Sequence, residues 1–128
     1  MGTNPRETVT FKHEPMLTTT HEKTNDVLIL RMNGRLDAIS CATFENEVLP
    51  LAGGSKTHVV IDAGALEYIS SAGLRSLLLI ARQQNAHGGK VIICSLNPGI
   101  KEVFRISGFD TIITPYPSVE AGMASLQA

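Results

Sequence analysis

The chain has 128 residues, 43% hydrophobic and 18% charged, the right size for one compact domain with a single core. Eleven basic and twelve acidic residues leave a net charge of -1, so no overall field favours nucleic acid or an anionic membrane. The longest apolar run, Leu77 to Ala81, falls far short of the roughly 20 residues of a membrane span, and no charged-then-apolar signal segment opens the sequence; a soluble cytoplasmic domain with no nucleic-acid and no membrane partner is expected.

Residues 1–14 are polar and carry Pro5, with Pro15 directly after them, which predicts a flexible N-terminal tail ahead of a domain over 15–128, although "VTF" (Val9 to Phe11) offers an edge strand. "MLTTTH" from Met16 has the β-branched threonines of a partly exposed strand. "DVLILRMNG" predicts a second strand whose continuous apolar run implies burial on both faces. Asn25-Asp26 between them reads as a hairpin turn. After Asp37, "SCATFENEVLPL" opens on Ser40, a residue suited to an N-cap, and repeats apolar residues at Phe44, Val48 and Leu51, which is helical spacing; Pro50 and Gly53-Gly54 should end it.

"HVVIDA" predicts a short buried strand. The helix after it places Leu74, Leu77, Leu78 and Ala81 on an inner face, with Arg75, Arg82 and Gln83 on the other side, and Gly88-Gly89 closes it. "KVIICS" is the next buried strand. "NPGIKEVFRISG" reads as a helix with Asn97 as cap, Pro98 at its first position and Gly108 beyond its end, and with Ile100, Val103, Phe104 and Ser107 inward. A last strand, "TIIT", precedes a helix capped by Ser118. The order ββαβαβαβα predicts an α/β fold, a mixed, mostly parallel sheet packed with about four helices.

Most chemistries are absent from this pattern. His13, His21, His58 and His87 show no pair at metal-ligand spacing and none adjoins a cysteine, so neither a metal nor a cofactor is expected. Cys41 and Cys94 are far apart, and Cys94 sits in an apolar run, as a free buried thiol would. "GGSKT" (Gly53 to Thr57) resembles the end of a phosphate-binding loop, but Ser55 separates glycine from lysine and a strand follows where a helix is required.

The stretch "LEYISSAGLRSLLLIARQQ" sets Ser70 and Ser71 between a strand and a helix. A hydrolase elbow would need glycine two residues before the nucleophile, where Ile69 stands for Ser71, and a histidine within reach, so no catalytic residue is assigned. One of the two serines should cap the helix. That accounts for one hydroxyl and leaves another where free N–H groups and the helix dipole favour a phosphate.

Three stretches together resemble the anti-sigma factor antagonists of the STAS domain family: "MNGRLDA", "VVIDAGALEYISSAGLRSLL" and "GGKVIICSLNPGIKEVFRISGF". The resemblance runs from about Met16 to the end. It implies a STAS-like fold and a bacterial partner switch: the unphosphorylated antagonist binds an anti-sigma factor that is also an ATP-dependent serine kinase, and phosphorylation ends the binding and so regulates transcription. The partners implied are that kinase and a phosphoserine phosphatase. In the family the acceptor lies two residues before the glycine of the S-x-G-L pattern, here Gly73, which points to Ser71. Some members have aspartate directly before the acceptor; this chain has Ser70, which stays open as the alternative acceptor. Gly34, Leu36 and Asp37 match the family's G-x-L-D pattern, so Asp37 should lie near the acceptor, either to orient its hydroxyl or contact the kinase, or simply to close a turn. Asp37, Ser70, Ser71, Gly73 and Leu74 are the expected partner-binding residues. Leu79, well round the helix from the inner stripe, is either a partner anchor or half covered by a neighbouring helix. The rival expectation is a STAS module for small-ligand binding or transporter regulation without a kinase.

Overall fold

The computed structural model describes residues 9–13, 17–53 and 56–127. Its strands are β1 (Val9–His13), β2 (Leu17–Thr24), β3 (Val27–Leu36), β4 (His58–Ile69), β5 (Val91–Cys94) and β6 (Thr114–Tyr116), and they lie in the sheet in the order in which they occur in the chain. The pairs β1/β2 and β2/β3 are antiparallel. The pairs β3/β4, β4/β5 and β5/β6 are parallel, each joined by a helical crossover, as parallel neighbours require. The helices are α1 (Cys41–Ala52), α2 (Ser71–Ala86), α3 (Pro98–Ser107) and α4 (Val119–Ser125). Of the expected tail over 1–14, Val9–His13 form β1, which extends the "VTF" edge strand; residues 1–8 and 14 lie outside the described residues.

One face of the sheet packs against α1, α2 and α3. Leu28, Leu30 and Met32 of β3 and Val59, Ile61 and Ala63 of β4 meet Phe44, Val48, Leu77, Ile80, Ile100 and Phe104 there. Phe44 and Phe104 are fully buried, each contributing about 2–3 kcal/mol of transfer free energy. A smaller cluster on the opposite face sets Val60, Ile92 and Cys94 against Val119, Met123 and Leu126 of α4 and its flank. Burial, with Asp62 and Glu120 nearby, pushes the Cys94 thiol up to about 11.

Several expected elements are displaced, each for a local reason. β3 is not buried on both faces: its residues alternate, because α4 only partly covers the second face and leaves Val27 and Ile29 half-buried. β4 is far longer than "HVVIDA". Between Arg31/Asp62 and Asn33/Ala65, and again between Gly34/Leu66 and Arg35/Tyr68, β4 advances one residue more than β3. Each such bulge turns the strand, so the inward residues Ala63, Leu66 and Ile69 recur every third position instead of every second.

Helix α1 runs past Pro50 to Ala52. In the last turn a proline sacrifices one backbone donor, and the Leu49 carbonyl still accepts from Gly53 N at 3.1 Å and from Gln83 Nε2 at 3.1 Å. Within α2, Leu78 is half-buried while Ser76, Ile80 and Gln84 are buried. Ser76 Oγ donates to the Glu45 carboxylate of α1, and Gln84 Nε2 donates to Thr57 O at 2.9 Å; these polar groups are buried because they are paired. The inner stripe of α3 narrows to Ile100 and Phe104, and Val103 and Ser107 are exposed. The last strand is Thr114–Tyr116 rather than "TIIT", because Phe109–Thr111 form a turn of 3₁₀-helix that delivers Ile113 to the core.

Candidate functional site

The parallel strands β3 and β4 end side by side, with Leu36 opposite Ile69. The two loops that leave them are therefore neighbours. One carries Asp37 and leads into α1; the other is Ser70, leading into α2. A backbone hydrogen bond from Ser70 N to Leu36 O, 3.0 Å, joins them.

The two serines divide the work. Ser70 has extended backbone angles and is the N-cap of α2: its Oγ accepts from Gly73 N at 3.1 Å, and its carbonyl accepts from Leu74 N at 2.9 Å. Ser71 is the first helical residue. Its side chain is exposed and makes no hydrogen bond among the described residues. The amides of Ser71 and Ala72 have no carbonyl of the preceding turn to bond, so the exposed hydroxyl stands at the positive end of a sixteen-residue helix.

Gly73 and Leu74 sit beneath that surface. A β-carbon on Gly73 would stand 2.4 Å from Leu36 O and 2.9 Å from Ile69 Cγ1. Glycine is what lets the first turn of α2 press against the ends of both strands. Leu74 is buried in the main core. These two expected partner-binding residues thus position the site from within.

Asp37 closes its own loop. Its Oδ1 accepts from Ile39 N at 3.0 Å and Ser40 N at 3.2 Å, and its Oδ2 stands 3.8 Å from Arg35 Nε. Ser40, expected as the N-cap of α1, makes no side-chain cap bond to the helix, because its backbone is already helical. Its Oγ instead donates to Arg35 O at 3.0 Å and accepts from Asp37 N at 3.1 Å. Asp37 and Ser40 thereby satisfy one another across the loop, and Cys41 N donates to Asp37 O at 2.9 Å. Asp37 makes no hydrogen bond to Ser70 or Ser71, so among the described residues it does not orient either hydroxyl.

Exposed apolar side chains flank the site. Ile39 is 68% and Tyr68 41% exposed, and the Arg35 guanidinium lies over the Tyr68 ring at 4.1 Å, a cation–π arrangement that fixes the arginine. Neither was singled out from the sequence, because strand alternation puts Tyr68 on the same face as Leu66 and only the bulges of β4 turn it outward. On α2 itself Ser71, Arg75, Leu79 and Arg82 are all exposed. Leu79, at 40%, lies open on that ridge. Both cysteines are free. No group of side chains among the described residues is arranged to hold a metal ion, and no helix among them is long and apolar enough to cross a membrane.

Comparison with known proteins agrees with this architecture. The STAS domain model matches residues 18–122. The Bordetella bronchiseptica protein BtrV, which carries the name of an anti-sigma factor antagonist, is 37% identical over 108 residues, covering 84% of this chain and 93% of its own length. An anti-sigma factor antagonist from Mycobacterium paratuberculosis superposes with a TM-score of 0.78 at 20% identity, over 88% of this chain and 95% of that one. The Bacillus cell fate determinant SpoIIAA in its phosphorylated form superposes with a TM-score of 0.62 at 20% identity, over 84% and 98%; at such identities the likeness is one of fold. The chain belongs to the STAS domain family. Within that family its sequence places it with the anti-sigma factor antagonists.

Proposed function

We propose that this protein is a phosphorylatable partner switch: unphosphorylated, it binds an anti-sigma factor that is also a serine kinase, and phosphorylation of Ser71 releases it. The observation that carries the reading is the division between the serines. Ser70 Oγ is held in the cap of α2, whereas Ser71 Oγ is exposed and uncommitted at the first helical position. In the transfer, Ser71 Oγ attacks the γ-phosphorus of ATP, ADP leaves and the hydroxyl proton is lost; the catalytic groups are the kinase's, and this chain acts as a binding protein. A phosphoserine phosphatase in the same cytoplasmic compartment resets the switch by hydrolysis.

The partner packs, on this reading, over the ends of β3 and β4, where Asp37, Ser70 and Ser71 lie together, with Gly73 and Leu74 holding the surface from beneath. A phosphate there adds about -1.5 to -2 charge, and burying it under a docked partner opposes binding. The test is incubation with ATP and the anti-sigma factor kinase, followed by intact mass and peptide mapping. One phosphate on Ser71 is expected. A phosphate on Ser70 alone would move the acceptor, and no phosphate at all would return weight to a STAS module that works without a kinase.

A further inference from the structure

The ridge of α2 that begins at Ser71 continues one turn later at Arg75. Residues four apart on a helix have neighbouring side chains, and both of these are exposed. Arg75 has no ion pair and no hydrogen bond through its side chain among the described residues. It is also free of competition on its own helix, because no acidic residue occurs between Ser71 and Ala86. Arg35, the other arginine near the site, is already stacked on Tyr68 and beside the Asp37 carboxylate. Arg82 is eleven residues from Ser71, which at 1.5 Å per residue places it about 16 Å along the helix.

We propose that Arg75 is the internal counter-ion of phosphorylated Ser71, closing an i,i+4 pair along the exposed edge of α2; the proposal rests on the assignment of Ser71 as the acceptor. The order is the favourable one, with the anion toward the N-terminus and the cation one turn on, so that pair and helix dipole act together. A guanidinium also presents a planar fork that matches two phosphate oxygens. The modification therefore does two things to the ridge: it adds negative charge at Ser71 and withdraws the Arg75 cation from any partner.

The pair is testable without a kinase. Phosphoserine is installed at position 71 of the full chain by genetic-code expansion, and its second ionisation is followed by phosphorus NMR against pH in the parent, Arg75→Gln and Arg82→Gln proteins. A cation favours the dianion, so its loss raises the second pKa. Arg75→Gln is expected to raise it by about 0.3 unit, a twofold change in the dissociation constant, and added salt should shrink the gap between variant and parent. Arg82→Gln should change it by less than about 0.1 unit. An Arg75→Gln shift no larger than that of Arg82→Gln would overturn the pair. Because the phosphoserine is placed during translation, failure of a kinase to modify Ser71 would count against the proposed function alone, whereas equal pKa values in all three proteins would count against Arg75 alone.

Discussion

Helices α2 and α3 start in the same way and end up with different capacities. Each follows a parallel strand, and each has an extended N-cap residue whose side-chain oxygen accepts from the backbone three residues on: Ser70 from Gly73 N at 3.1 Å, Asn97 from Ile100 N at 2.8 Å. Each cap residue is also tied to a neighbouring strand, Ser70 through its amide to Leu36 O and Asn97 through Nδ2 to Leu66 O. The first helical residue separates them. In α3 it is Pro98, which fits the helix start and offers nothing to modify; in α2 it is Ser71, a free hydroxyl. A capped helix start becomes a candidate switch when a second hydroxyl stands beside the one that the cap consumes.

The comparison can be broken most severely at its glycines. Gly73→Ala should destabilise the fold by about 4 kcal/mol, because the backbone of Leu36 occupies the space of the new methyl group. Gly99 in the first turn of α3 meets only Asn97 Oδ1 at 3.4 Å, so Gly99→Ala should be neutral or raise stability by up to ~1 kcal/mol. Urea denaturation of both variants reads the contrast, and a Gly73→Ala protein as stable as the parent would refute the close approach of α2 to the strand ends.

The next largest effect concerns binding. Ser71→Asp should weaken affinity for the kinase partner by about 3 kcal/mol, more than a hundredfold, while Ser71→Ala should bind persistently and stay within about 0.5 kcal/mol of the parent's stability, since the alanine removes no hydrogen bond. Titration calorimetry of the three proteins against the partner decides it; equal affinities would remove charge at Ser71 as the control.

Cap removal should then show how alike the two starts are. Ser70→Ala should cost about 1 kcal/mol and Asn97→Ala about 2 kcal/mol, because the asparagine also loses its Nδ2 bond to Leu66 O, and a loss at Ser70 as large as that at Asn97 would mean that the serine hydroxyl has a second structural role. Smallest of all is the effect of the phosphate on the fold. At an exposed helix N-terminus it should stabilise by ~0.3 to 1 kcal/mol, visible as a small upward shift in melting temperature by calorimetry. A large fall would show that release proceeds by unfolding.

What was legible in the sequence followed local rules. Asn97, Pro98 and Gly108 bracket α3 as read, with Gly108 in the left-handed region at φ 79°, and Ser118 caps α4 by accepting from Ala121 N. The resemblance to the family predicts Asp37 near the serines, and the bond from Ser70 N to Leu36 O makes the two loops that carry them neighbours. Illegible were features set by tertiary context. The end of β4 broke the period-two pattern, since its bulges answer to β3 and not to its own residues. The role of Ser40 depended on Asp37 folding back upon it. Arg35 and Tyr68 met only because β3 and β4 run parallel with these two residues opposite one another.

The strand order, identical to the chain order, has a consequence for how the protein is made. Each strand after the first pairs with its predecessor, so during synthesis it finds one neighbour already made. At a synthesis rate of about 5–20 residues per second, β2 and β3 can close as a hairpin before β4 exists, and every later strand meets an edge already in place. The last edge is covered late, when β6 and α4 emerge and seal Val60, Ile92 and Cys94. The strands and helix start that carry Asp37 and Ser71 therefore emerge first, and the nascent chain completes both faces of the core only when Ile100 and Phe104 of α3 and then α4 follow.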